Sequence, residues 1–233
     1  MRKRWVGAYC LSIVFVLLAS HWGSRTVTVL AEKSPLEREH ILLIDPGHGG
    51  EDGGAVSCTG LAESGYNLEI SLRLRDLCHL LGYETKMIRT TDQSVYTKGE
   101  TLAQKKVSDL KRRVQIAEET EQAVLLSIHQ NHFPDSRYSG AQVFYAKTEG
   151  SQQLAQTIQE ALASGTESRR QCKPSSGVYL LEHITCPAVL IECGFLSNPA
   201  EEAKLRDPVY QKRLCALIAG AFSSHLQRES TPQ

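Results

Sequence analysis

The chain has 233 residues and 41% hydrophobic content, enough to bury one good core but short for a second large domain. Lysine plus arginine and aspartate plus glutamate number 26 each, so there is no basic excess of the kind a nucleic-acid-binding surface needs. No internal repeat or low-complexity tract interrupts it.

The N-terminus differs in kind from the rest. Arg2, Lys3 and Arg4 precede an apolar stretch from about Trp5 to Ala19. A charged segment followed by an apolar one of this length is an export signal, and is short for a membrane-spanning helix. No small-x-small site lies cleanly after Ala19, and Val29-Leu30-Ala31 is late. Residues 1–30 therefore read either as a cleaved signal peptide or as an uncleaved signal anchor that touches the membrane. Cys10 lies within the apolar stretch, which is not the setting of a lipoprotein cysteine. Residues 31–39 read as a polar linker, 40–227 as the folded domain and 228–233 as a tail.

Ile41-Leu42-Leu43-Ile44 predicts a buried strand that stops at Asp45-Pro46, because proline cannot donate to a ladder. His48 follows among Gly47, Gly49 and Gly50, at the strand end where α/β proteins bind ligands. Glu63 to Leu81 predicts a helix, with Ile70, Leu74, Leu77 and Leu81 on one apolar face. Glu63 falls at its first turn, a usual place for an acid.

Val107, Leu110, Val114 and Ala117 give a second helical face, on which Lys111, Arg112 and Arg113 read as a solvated basic trio. The apolar run Ala123 to Ile128 ends at His129-Gln130-Asn131-His132, and Ala188 to Ile191 ends at Glu192-Cys193-Gly194. Asn198-Pro199 and Asp207-Pro208 each read as a helix cap followed by a first-turn proline. Tyr210, Leu214, Leu217, Ile218, Ala221 and Phe222 mark one face of a last helix. This alternation predicts a single α/β domain with a central mixed, largely parallel sheet flanked by helices.

Three strands thus deliver His48, His129 and Glu192 to one edge. A carboxylate after an apolar run is costly unless paired, metal-bound or catalytic. His48, Glu63 and His129 form a two-histidine, one-carboxylate set that suits zinc with an open position for water; iron accepts the same donors. Glu192 is then the general base. Asp45 is a candidate to orient a histidine. The ligands lie 15 and 66 residues apart, unlike the short HExxH spacing, so only a fold can assemble them. Outside Cys10, six cysteines show no CxxC or zinc-knuckle spacing and read as mostly free thiols. Cys193, beside Glu192, reads as a core residue because no activating histidine is implied.

Asp45-Pro46-Gly47-His48-Gly49-Gly50, Glu63 with Asn67, Ser127-Ile128-His129-Gln130-Asn131 and Ile191-Glu192-Cys193-Gly194-Phe195-Leu196-Ser197-Asn198 resemble, in order, the motifs of zinc-dependent N-acetylmuramoyl-L-alanine amidases of the amidase-3 type. The resemblance spans about residues 41 to 226. It implies a single α/β domain, zinc held by His48, Glu63 and His129, and a catalytic Glu192. It also implies action on the glycan strand and stem peptide of peptidoglycan.

Tyr96-Thr97-Lys98-Gly99 with Lys105 to Arg113, and Ser139-Gly140-Ala141-Gln142 before a strand, are similar to the extended middle loop and following segment of the spore germination-specific subgroup. In that subgroup peptide removal precedes formation of muramic-δ-lactam in spore cortex. In such an enzyme the Lys111–Arg113 trio has a second reading, as a contact to glycan. Three functions stay open: an amidase of cortex or of vegetative wall, a zinc peptidase cutting within the stem peptide, and an inactive membrane-anchored wall-binding scaffold. The amidase and peptidase readings, like the scaffold, place the chain outside the cytoplasm, at the membrane or in the wall.

Overall fold

The computed structural model describes residues 40–229. The expected export segment, the linker, Cys10 and residues 230–233 lie outside the described residues.

Six strands form one sheet. They are β1 (Ile41–Pro46), β2 (Thr85–Met87), β3 (Ala123–Asn131), β4 (Gln142–Tyr145), β5 (Lys173–Pro174) and β6 (Ala188–Phe195). The spatial order is β2-β1-β3-β6-β4-β5. β1 pairs parallel with β2 and β3, and β3 pairs parallel with β6. β4 runs antiparallel to β6 and parallel to β5. The sheet is therefore mixed and largely parallel, as the alternating sequence predicts.

β1, β3 and β6 are covered on both faces, which is why they read as continuous apolar runs. Side chains alternate along each strand. Leu42, Ile44, Leu126, Ile128 and Ile191 face a core with α1 (Glu63–Leu80), α3 (Ser151–Gly165) and α6 (Pro208–Glu229). Ile70 and Leu74 of α1, Leu154, Ile158 and Leu162 of α3, and Leu214, Ile218 and Phe222 of α6 fill it. Leu43, Leu125 and Leu190 face a smaller core with α2 (Leu102–Glu118) and the short α4 (Tyr179–Glu182), through Ala117, Leu180 and Leu181.

The helix starts follow local chemistry. Thr101 and Gln104 make a reciprocal capping box at α2. Asn198 caps α5 (Pro199–Arg206) by accepting from the N–H groups of Ala200 and Glu201, with Pro199 in the first turn. Asp207 accepts from the Val209 N–H at the start of α6. Both proline-marked caps thus form where the sequence places them.

Three details depart from the sequence reading. The segment likened to an extended loop is a loop only up to Thr101; the rest is helix α2. Leu81, expected on the core face of α1, caps the helix and is exposed. Arg113, expected on a solvated face, is 2% exposed, because α2 turns it under β1 toward Asp45.

Candidate active site

His48 sits just past β1 with φ +58°, an uncommon backbone state for a non-glycine residue. It is held there from below. Arg113 Nη2 donates to the His48 carbonyl at 2.7 Å, and Arg113 Nη1 donates to the Pro46 carbonyl at 2.9 Å. Arg89 Nη2 donates to the Gly47 carbonyl at 2.9 Å, and its Nε to the Pro46 carbonyl at 2.9 Å. Two buried guanidiniums thus grip three successive carbonyls of the histidine loop.

Arg113 pairs with Asp45 and with Asp109. Burial works against the Arg113 charge, but Asp45 and Asp109 outweigh it and raise its pKa. Burial and the Arg113 charge bring Arg89 down to about 10. Asp45 accepts from Arg113 and from Ser127 Oγ at 2.6 Å, not from a histidine. The histidine-orienting carboxylate is Asp52, whose Oδ2 lies 3.1 Å from His48 Nδ1.

Glu63, the first residue of α1, points its carboxylate between the two imidazoles. Its Oε2 is 3.3 Å from His48 Nε2 and its Oε1 is 3.0 Å from His129 Nδ1. Ala55 N–H donates to Oε2; Gln130 N–H and Asn67 Nδ2 donate to Oε1. Burial alone would raise this carboxyl, but the His129 hydrogen bond and the two imidazole charges bring it down to about 2. It stays ionised, as a metal ligand must.

His48, Glu63 and His129 each offer a donor atom, all within 4.8 Å of one another. The imidazole rings meet edge to face with centroids 5.0 Å apart. Two glycines leave the room. A Cβ on Gly47 would lie 2.2 Å from the His129 ring. A Cβ on Gly54, at φ +71°, would lie 2.5 Å from Glu63 Oε2 and 2.7 Å from the His48 ring. This nitrogen and oxygen donor set fits zinc.

Glu192 lies within β6, opposite His129 of β3. Its Oε2 is buried with no hydrogen-bond partner among the described residues. Burial pushes its carboxyl up to about 7; His129 pulls it down, and the Glu63 charge adds to the rise. An orphaned carboxyl poised near neutrality beside a metal-capable set is equipped for proton transfer. Cys193 is 1% exposed, and burial raises its thiol well above the ordinary range, so it is a core residue. The six described cysteines are free.

The structure therefore brings together all four residues marked in the sequence. Sequence reasoning missed Asp52, Arg89 and the inward turn of Arg113. Asp52 sits in an irregular loop with no periodicity to flag it, and nothing in a linear pattern shows that two arginines meet one turn.

An α/β sheet with this donor set at one edge and an unpaired carboxyl beside it defines a candidate metallohydrolase. Residues 42–224 match the Amidase_3 family, N-acetylmuramoyl-L-alanine amidase. The chain belongs to that family. It is 33% identical to the germination-specific N-acetylmuramoyl-L-alanine amidase of Bacillus subtilis, covering 100% of this chain and 99% of that one. Among solved structures it is similar to the CwlD amidase from Clostridioides difficile in complex with the GerS lipoprotein, with TM-score 0.78 and 36% identity over 81% of this chain and 98% of that one. An N-acetylmuramoyl-L-alanine amidase from Clostridium difficile 630 gives TM-score 0.72 and 32% identity over 82% of this chain and 98% of that one.

Proposed function

We propose that this amidase is zinc-dependent, that His48, Glu63 and His129 hold the metal, and that Glu192 moves the proton. The observation that carries the reading is the convergence of those three donors beside a half-buried carboxyl whose buried Oε2 has no partner among the described residues. The bond cut is the amide between the lactyl carbonyl of N-acetylmuramic acid and the nitrogen of L-alanine. Bound zinc would supply Lewis acidity toward the amide carbonyl and toward water.

The chain's own residues supply the rest. Asp52 fixes the His48 ring through Nδ1, leaving Nε2 for the metal. Asn67 and Gln130 fix the Glu63 carboxylate. Glu192, in its ionised form, takes a proton from the attacking water as the new C–O bond forms. It returns that proton to the alanine nitrogen as the C–N bond breaks. A scaffold that had lost activity would have no need to keep a base, and Glu192 is present.

The substrate is peptidoglycan outside the cytoplasm, with spore cortex the site of action. The full-length similarity to a germination-specific amidase and the basic-then-apolar N-terminus support this. Deleting the gene in its host and profiling cortex muropeptides tests it. Muramic-δ-lactam should disappear. Its persistence at normal levels would remove the cortex role, and a separation defect in growing cells would point to the vegetative wall.

A further inference from the structure

Among the described residues, Arg170 stands at the functional edge with no acid paired to it. The strand order places β4 next to β6, with Gln142 directly opposite Glu192. Paired strands lie about 5 Å apart, so Gln142 borders the catalytic carboxyl. Both polar atoms of the Gln142 side chain are engaged: its Nε2 donates to the Gln171 carbonyl at 2.9 Å, and its Oε1 accepts from Arg170 Nη1 at 3.1 Å. Arg170 thereby stands one residue beyond the neighbour of Glu192.

Its guanidinium is rigidly placed. Cζ lies 4.5 Å from the centroid of the Phe195 ring and 5.8 Å from that of Tyr138, and Nε donates to the Ser139 carbonyl at 2.8 Å. Phe195 is buried and Tyr138 is exposed, so the stack reaches from the core to the surface. Two of five N–H groups are used; the others find no acceptor among the described residues. No carboxylate lies within ion-pair distance of Arg170 there. The nearby Glu201 is committed to the backbone N–H groups of Gly140 and Phe195.

A half-buried, pre-oriented guanidinium with free donors is a receptor for a planar anion. We infer that Arg170 is a specificity-determining residue that receives a carboxylate of the stem peptide, on the residue following L-alanine. This rests on the amidase reading. The peptide carries the carboxylates of the substrate, and its nitrogen must sit against Glu192, next to β4, whose Gln142 side chain accepts from Arg170.

The test uses two glycopeptides and the full-length, zinc-loaded protein. One is N-acetylmuramoyl-L-alanyl-D-glutamate; the other has both glutamate carboxyls converted to amides. Wild-type kcat/KM should favour the acid by about 10–100-fold, mainly through KM, as expected for a charge-assisted pair. Arg170→Gln should bring the acid down to the level of the amide and leave the amide unchanged. An undiminished preference in Arg170→Gln, or an equal loss on both compounds, would overturn the assignment. Equilibrium binding of the same pair to Glu192→Gln protein, with and without Arg170→Gln, decides the matter independently of turnover. A wild-type enzyme that binds the acid in preference but cleaves neither would count against the amidase reading and in favour of the Arg170 contact.

Discussion

His129 and Glu192 are register partners across the parallel pair β3–β6, so a metal-capable imidazole and an unpaired carboxyl project from one face of the sheet, one strand apart. Neither lies beyond its strand. β3 runs on to Asn131 and β6 to Phe195, and the ladder itself fixes the separation of the two side chains. Backbone pairing is stiffer than a loop, which suits groups that must act on one bond.

The metal set should be measurable directly. Purified protein is expected to carry one zinc per chain, and His48→Ala and His129→Ala are expected to carry little. Asp52→Ala should retain the site but weaken its affinity by about 10–100-fold, because the His48 ring loses its Nδ1 partner. Metal analysis by mass spectrometry with a competing chelator reads all three. Full zinc in both histidine variants would remove the assignment.

Glu192→Gln should keep fold and zinc and lose about 10²–10⁴-fold in turnover. The base must be ionised, and burial raises its pKa toward about 7. Activity should therefore rise with pH through an acid limb. A bound cation favours the carboxylate, so that limb should lie between the ordinary glutamate value of about 4.3 and the raised value. A rate that climbed as pH fell through this interval would assign the proton transfer elsewhere.

The buried Arg113–Asp45 pair should govern stability. Arg113→Met strands Asp45 in the core, frees the His48 carbonyl and leaves the Pro46 carbonyl to Arg89 alone, a change expected to cost about 3–5 kcal/mol. Burial opposes the Asp45 charge, but Arg113 and Ser127 hold its pKa below the ordinary value. A depressed folded pKa gives stability that is full above the unfolded pKa of about 3.9 and is lost as pH falls through the folded one. Urea denaturation of wild type and Asp45→Asn should thus show a constant gap from neutrality to about pH 5, narrowing under stronger acid. A gap independent of pH down to the acid transition would mean that Asp45 is not charged in the fold.

Gly54→Ala adds one methyl group between Glu63 and His48 at a backbone angle few side chains adopt. The expected cost is about 1–3 kcal/mol, with metal affinity falling more than stability. Calorimetry and zinc titration on the same sample separate the two. Unchanged zinc binding would show that the loop has room the static geometry does not reveal.

The sequence alone determined the elements that carry the site. Apolar runs at Ile41, Ala123 and Ala188 mark strands covered on two faces, and the residues at their ends, with Glu63 at a helix start, could be named as a candidate metal set and a candidate base without any coordinates. Local chemistry also marked the caps at Asn198 and Asp207. Strand order could not be read, because hydrophobic pattern is silent on which strands become neighbours; only pairing places His129 opposite Glu192 and Gln142 beyond it. The same limit hid Asp52, Arg89 and Arg113. A charged residue on a helix reads as solvated unless a partner is known to wait in the core, and Asp45, 68 positions away in sequence, became that partner only when α2 packed beneath β1.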